Sequence, residues 1–292
     1  LDQVILVINR GFHKAQQEYN TSPAVTQEEQ PPFYYGLIVC AMRFFTAQSS
    51  PYYAQLMEVF RETPVKEIYP MASLELARAV VRLRDEEGIP VVGFDLAGAE
   101  AGYPAGDHEE AYRFIHKNFI HKTVHAGEAY GPESIFQAIT DLHADRIGHG
   151  YHLFSPELCG PNVADPQQYV DRLVRHIADS RLTIEVCMTS NLQTNPAIGD
   201  PHNHAFGKML EANLSATLCT DNRLVSHTTV TDEVELALKT FDLSLRQLRD
   251  TIVYGFKRSF FAGPYSERRK YVRQILNYYD SIIENYQKSP GA

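Results

Sequence analysis

Histidine and carboxylate side chains follow three short apolar segments of the sequence, where they suit metal-assisted proton transfer. His125 and Glu128 are joined by two small residues, so an imidazole and a carboxylate can share one pocket. His149 lies between two glycines, and Asp221 follows another apolar segment. Imidazole and carboxylate groups bind zinc, and both also transfer protons. Taken alone, His125 with Glu128 is better explained as a satisfied surface or core pair, and Asp221 as a helix cap, while His149 also fits a glycine-rich turn. The three together favour one site.

Other histidines carry a weaker signal. His202 and His204 have a His-x-His spacing, but they lie in a loop punctuated by proline and glycine rather than in a strand. We therefore expect loop histidines there rather than metal ligands. Glycine-rich phosphate loops of the P-loop or dinucleotide-binding type do not occur in the sequence.

The elements that must position these side chains repeat in a regular order. After an amphipathic helix over residues 1 to about 19 and a polar connector over 20–32, short β-branched runs alternate with amphipathic stretches, which predicts βα units and a parallel sheet. The predicted strands span 35–44, 90–96, 122–125, 144–148, 182–187 and 215–219. Their C-terminal ends would share one mouth in a (β/α)8 barrel, although six strands are two short of eight. The tail over 243–287 is predicted to be helical.

Composition excludes several classes of protein. With 292 residues and 44% hydrophobic content, the chain is long enough for a large core, and we expect a single domain over residues 1–292. The 27 basic and 36 acidic residues give a net charge of −9, which disfavours nucleic acid as a partner. No apolar run approaches the roughly 20 residues of a membrane span. Four widely spaced cysteines fit a reducing, cytoplasmic location.

Five segments of the chain resemble successive motifs of the adenosine deaminase family, within the metal-dependent amidohydrolases. They are GFDLAG at 93–98, TVHAGE at 123–128, RIGHGYH at 146–152, EVCMTSN at 185–191 and TDN at 220–222. Their order and spacing match the family from about residue 1 to the C-terminus. The resemblance implies an α/β fold of the (β/α)8 TIM-barrel type with one catalytic zinc, whose first strands are absent from this chain.

The resemblance also implies a role for each matching residue. His125 and Asp221 resemble zinc ligands, and Asp221 would also hold the zinc-bound water. Glu128 resembles the acid that protonates purine N1, and His149 the base that orients and deprotonates the water. Gly98 resembles a backbone donor to purine N3. Zinc suits this chemistry because it lowers the pKa of bound water from about 15.7 to about 7.

The sequence departs from the family in two places. The family's H-x-H pair of zinc ligands has no counterpart before His125, so two ligands, two strands and part of the sugar pocket are absent together. We expect a longer deaminase whose N-terminal fragment supplies them, in preference to a short, metal-poor descendant. Asn222 stands where many relatives have an aspartate that meets purine N7, and an amide can donate to that nitrogen without titrating.

The predicted function is zinc-dependent hydrolysis of adenosine or 2′-deoxyadenosine to inosine or 2′-deoxyinosine and ammonia. Two alternatives stay open. One is a sister deaminase that acts on AMP, adenine or a modified adenosine. The other is a barrel remnant without catalytic activity, which serves as a binding or scaffold protein.

Overall fold

Six parallel strands form one sheet in the computed structural model, which describes residues 2–288. The strands are β1 (Leu37–Met42), β2 (Val91–Ala97), β3 (His121–Ala126), β4 (Arg146–His149), β5 (Thr183–Val186) and β6 (Ser215–Leu218). They pair in chain order from β1 to β6. All six predicted strands are confirmed, with ends that differ by at most two residues from the predicted ranges.

Helices separate the strands and cover the sheet. They are α1 (Asp2–Asn20), α2 (Pro23–Thr26), α3 (Pro51–Val59), α4 (Val65–Asp85), α5 (Glu109–Lys117), α6 (Pro132–Thr140), α7 (Pro166–Ser180), α8 (Met188–Thr194), α9 (Phe206–Glu211), α10 (Arg223–Ser226), α11 (Val230–Phe241), α12 (Leu245–Lys257) and α13 (Tyr265–Lys288). Short 3-10 turns lie at Ala105–His108, Tyr151–Phe154, Pro156–Leu158, Pro196–Ile198 and Pro201–Asn203. The predicted N-terminal helix is α1, and its first predicted residue lies outside the described part of the chain.

The C-terminal tail differs from the single helical stretch that the sequence predicts. It forms two helices, α12 and α13, with a break between Lys257 and Tyr265. Pro264 accounts for the restart of the helix, because a proline disfavours helical backbone in the residue before it and is tolerated near a helix start. Side chains of the break, including Phe260, pack back against the sheet.

The core lies between the sheet and its helices. On the strands, Phe94, Val124 and Ile147 are fully buried, and α4 contributes Val80 and Leu83 from its sheet-facing side. Burial on both faces is expected of a parallel sheet, because each crossover helix covers the strands that it connects. This packing fixes the strand ends from which the candidate site is built.

The sheet ends at β1 and β6. Within residues 2–288 neither strand pairs along its outer edge, so six parallel strands form part of a barrel rather than a closed one. The cysteines Cys40, Cys159, Cys187 and Cys219 are free thiols. Across the described residues, no helix combines the length and apolar character that a membrane crossing requires.

Candidate active site

One cleft of about 610 Å³ lies over the C-terminal ends of β2, β3, β4 and β6. The structure brings together in its lining five of the six residues singled out from the sequence, namely Gly98, His125, Glu128, His149 and Asp221. They share the cleft because parallel strands all end on the same side of the sheet. A separate cavity of about 340 Å³ beside α12 is lined mainly by aromatic and aliphatic residues and has no imidazole or carboxylate.

His125 leaves β3 beside a carboxylate of the neighbouring strand. Its Nδ1 lies 3.1 Å from Oδ1 of Asp95 on β2. Burial lowers the pKa of His125, but the charge and hydrogen bond of Asp95, with the charges of Asp221 and Glu128, raise it overall to about 9. The Asp95 contact leaves Nε2 as the ring nitrogen available to a ligand, an arrangement that metal-binding histidines commonly use.

His149 is held by a buried chain of hydrogen bonds. The backbone N–H of Phe206 donates to Nδ1 of His204 at 3.1 Å, and Nε2 of His204 lies 3.2 Å from Oδ1 of Asn191. The Asn191 amide nitrogen then lies 3.1 Å from Nδ1 of His149. Because a backbone N–H can only donate, it sets the direction of the chain. Neutral His149 therefore carries its proton on Nε2, which lies 3.8 Å from Oε2 of Glu128.

The electrostatics of the two buried histidines follow from this packing. Burial lowers the pKa of His149 and the charge of His125 lowers it further, against the opposing carboxylates of the cleft. Burial likewise lowers the pKa of His204 to about 4. Both rings are therefore neutral near pH 7, as the hydrogen-bond chain requires.

Asp221 follows β6 and is held by a hydroxyl group. Ser190 Oγ donates to its Oδ2 at 2.7 Å. Asp221 has a φ of 54° and His149 a φ of 63°, so both adopt left-handed backbone where their strands end. Gly98 has a φ of 103°, a conformation that a residue without Cβ adopts at no steric cost.

Asn222 is not among the residues that line the cleft. Its side chain caps α10 by accepting a hydrogen bond from the N–H of Val225 at 3.3 Å. The two loop histidines have different environments. His202 is exposed and pairs with Asp200, whereas His204 is buried and belongs to the chain of hydrogen bonds that reaches His149.

The described residues do not supply a complete zinc site. Zinc sites use three or more protein ligands, and residues 2–288 contain no group of three histidine, cysteine, aspartate or glutamate side chains arranged to hold a metal. His125 and Asp221 line the same cleft, and they are two potential ligands. Glu100 was not singled out in the sequence, and His204 was expected only as a loop histidine. Asn191 belongs to the EVCMTSN segment at 185–191, but no role was assigned to it.

Comparison with known proteins identifies the family. The sequence model described as Adenosine deaminase matches residues 56–278, more than half of the chain. The chain belongs to the adenosine deaminase family. Adenosine deaminase 1 of Streptomyces coelicolor is 37% identical over 210 residues, covering 70% of this chain and 49% of the relative. Adenosine deaminase of Mycobacterium marinum is 35% identical over 204 residues, covering 70% and 54%.

This member of the adenosine deaminase family therefore spans about half the length of the curated relatives it matches. Solved structures share its fold. A cog1816 amidohydrolase from Burkholderia ambifaria with bound Zn has a TM-score of 0.63 at 18% identity, covering 87% of this chain and 59% of that one. The N6-mAMP deaminase of Arabidopsis has a TM-score of 0.60 at 22% identity, covering 84% and 59%. These likenesses show that the six strands are those of a partial TIM-type barrel.

Proposed function

We propose that this chain forms part of a deaminase that hydrolyses adenosine or 2′-deoxyadenosine to inosine or 2′-deoxyinosine and ammonia. One observation carries the proposal: Glu128 and His149 approach to 3.8 Å in a cleft that Gly98, His125 and Asp221 also line. A carboxyl group and an imidazole at this separation can act together, the first on N1 of a purine and the second on a water that attacks the adjacent C6. Family membership supports the same reaction class.

Glu128 is the proposed proton donor. Carbon C6 of adenine is a poor electrophile because attack at C6 breaks the aromatic delocalisation of the ring electrons. A proton that Glu128 delivers to N1 weakens that delocalisation and makes C6 open to attack by water. General acids in such positions contribute about a hundredfold to ten-thousandfold in rate. The N1 proton stays in the inosine product. The attacking water supplies the other two protons: one passes to the exocyclic amine, which leaves as ammonia, and one returns to the Glu128 carboxylate and restores the acid.

His149 is proposed to orient the attacking water. Its buried chain leaves a proton on Nε2, so the neutral ring acts as a hydrogen-bond donor toward an oxygen in the cleft. The role of base, which the sequence resemblance implies, requires the opposite polarity of this chain, and the Phe206 N–H opposes it. Gly98 is proposed to present its backbone N–H to purine N3, since a left-handed glycine permits close approach of the base.

His125 and Asp221 are the ligands that this chain is proposed to contribute to a zinc site. They do not complete such a site, so the remaining ligands must come from outside the described residues. The outer edges of β1 and β6 are open to further strands, which supports an N-terminal fragment of the same protein as the source. Four free thiols are consistent with the proposed cytoplasmic location.

An ultraviolet assay for conversion of adenosine to inosine tests the reaction. The chain is assayed with zinc, alone and after mixing with a fragment of a curated relative that carries the H-x-H motif. We expect turnover in the mixture, and a loss of about a hundredfold or more in Glu128→Gln. Glu133→Gln is the matched control, because Glu133 lies on α6 outside the cleft lining.

Parallel assays with AMP and adenine separate the sister substrates. Faster turnover of either one would replace adenosine as the proposed substrate. Near-normal turnover in Glu128→Gln would reject the proton-donor role. A mixture that binds zinc and turns over none of the three compounds would favour the non-catalytic remnant.

A further inference from the structure

Glu100 is a buried carboxylate that accepts hydrogen bonds from the backbone of residues 127–130, the loop that carries Glu128. It follows β2 and is only 3% exposed. Its Oε2 accepts hydrogen bonds from the N–H groups of Glu128, Ala129 and Tyr130 at 3.1, 2.7 and 2.9 Å. Its Oε1 accepts from the N–H of Gly127 at 2.9 Å and from the hydroxyl of Ser134. Four consecutive backbone donors therefore converge on one side chain.

This arrangement depends on the chemistry of a carboxylate. Backbone N–H groups can only donate, and an ionised carboxylate can only accept, with about four lone-pair positions. A glutamine at this position would turn an NH₂ group toward part of the same set of donors. An aspartate would keep the charge but withdraw it by one methylene group. Among side chains of this length, only the glutamate carboxylate presents two acceptor oxygens to the loop.

The loop is also anchored where it leaves β3. The buried guanidinium of Arg43 donates to the carbonyl of His125 at 2.6 Å and to the carbonyl of Tyr103 at 2.6 Å. Gly127 has a φ of 70°, which turns the chain after β3. Arg43 fixes the backbone at His125, where the loop begins, and Glu100 fixes residues 127–130. The backbone of Glu128 therefore has little freedom. Its carboxyl group is thereby directed to the cleft, 3.8 Å from His149.

We propose that Glu100 is a positioning residue for Glu128. It holds the backbone of residues 127–130 so that the Glu128 carboxyl group meets N1 of the purine. This inference rests on the proposed function, in which Glu128 donates a proton to N1 of the purine. Glu100 acts through Glu128 rather than on the substrate, because both of its oxygens are already occupied by the loop.

Hydrogen exchange of the full chain tests whether Glu100 holds the loop. In Glu100→Gln we expect the amides of residues 127–130 to exchange about ten to a hundred times faster, because buried donors lose their acceptor. Glu233→Gln is the matched control, since Glu233 is 0% exposed and also binds a backbone N–H, that of Thr189. It should not accelerate exchange at residues 127–130. If Glu100→Gln does not fold, Glu100→Asp replaces it.

A double-mutant cycle on inosine affinity tests whether Glu100 acts through Glu128. The N1–H of inosine can donate to an ionised Glu128, so Glu128→Gln should weaken binding by about tenfold. Glu100→Gln should weaken binding in the unsubstituted chain and have no further effect in the Glu128→Gln background. A general structural defect would weaken binding equally in both backgrounds.

The outcomes separate the two ideas. Unchanged exchange at residues 127–130 in Glu100→Gln would overturn the proposal, as would equal losses of inosine affinity in both backgrounds. If the chain mixed with the H-x-H fragment and zinc does not bind inosine, the proposed function fails. In that case normal exchange protection of residues 127–130 in Glu100→Gln still refutes the idea that Glu100 holds the loop. Lost protection would show that Glu100 stabilises the loop, without a role in purine binding.

Discussion

Replacing His108 with glutamine is expected to flatten the acid side of the protein's stability profile. His108 is 1% exposed, and its Nδ1 lies 2.8 Å from the hydroxyl of Ser73. Burial lowers the pKa of His108 to about 4, and the nearby charge of Arg43 lowers it as well. Glutamine has a similar hydrogen-bonding capacity and does not titrate in this range.

The magnitude follows from the difference in proton binding between the two states. An unfolded histidine has a pKa of about 6.5, whereas folded His108 has a pKa of about 4. The stability linked to this group is fully present above pH 6.5 and is lost as the pH falls toward 4, because the unfolded chain binds the proton first. Between pH 7 and pH 5 this single group should remove about 2 kcal/mol from the free energy of unfolding.

Urea unfolding at about pH 7, 6 and 5, followed by circular dichroism, measures the effect. The free energy of unfolding should fall less steeply with acid in His108→Gln than in the unsubstituted chain, by about 2 kcal/mol over this range. Ser73→Ala is the control, because it removes the same hydrogen bond and leaves His108 in place, so the steep fall with acid should remain. Parallel profiles for the His108 variant and the unsubstituted chain would refute the reasoning.

Three further outcomes are expected. Asn191→Leu should lower the free energy of unfolding in urea by about 2–5 kcal/mol, because it leaves the buried nitrogens of His149 and His204 without partners. A loss below about 1 kcal/mol would mean that the chain of hydrogen bonds to His149 is not formed. Gly127→Ala should cost about 1–3 kcal/mol by the same measurement, since its Cβ would lie 2.6 Å from Ile135 and its φ is positive; an unchanged midpoint would contradict this. After dialysis the chain alone should retain well under one equivalent of zinc by elemental analysis, and a full equivalent would reveal ligands beyond the two in the cleft.

The strands could be predicted because their signal is local. Each has a short run of apolar, often β-branched residues, and polar residues lie at or just after the ends of four of them, namely Asp95, His125, His149 and Asp221. The break before Pro264 was missed because the apolar periodicity resumes on both sides of it. Periodicity reports the faces of helices, whereas a change of direction depends on a single residue.

The candidate site was predictable only in part. His125, Glu128 and His149 stand at strand ends, and in a parallel sheet this position in sequence determines a common location in space. Glu100 and Asn191 act on residues 28 and 42 positions away, so only the folded chain reveals their partners. Asn222 caps α10 through its side-chain oxygen, a role that the sequence did not indicate, and the contact of its NH₂ group with the purine stays a prediction.

The left-handed backbone at His149 and Asp221 has a consequence for how this protein changes under selection. Residues with a Cβ pay roughly 1 kcal/mol to adopt this conformation, a cost that glycine avoids. A library selected for thermal resistance alone should therefore enrich glycine at both positions, whereas a library selected for turnover should retain the histidine and the aspartate. These two positions can thus distinguish a barrel maintained for its chemistry from one maintained only for its fold.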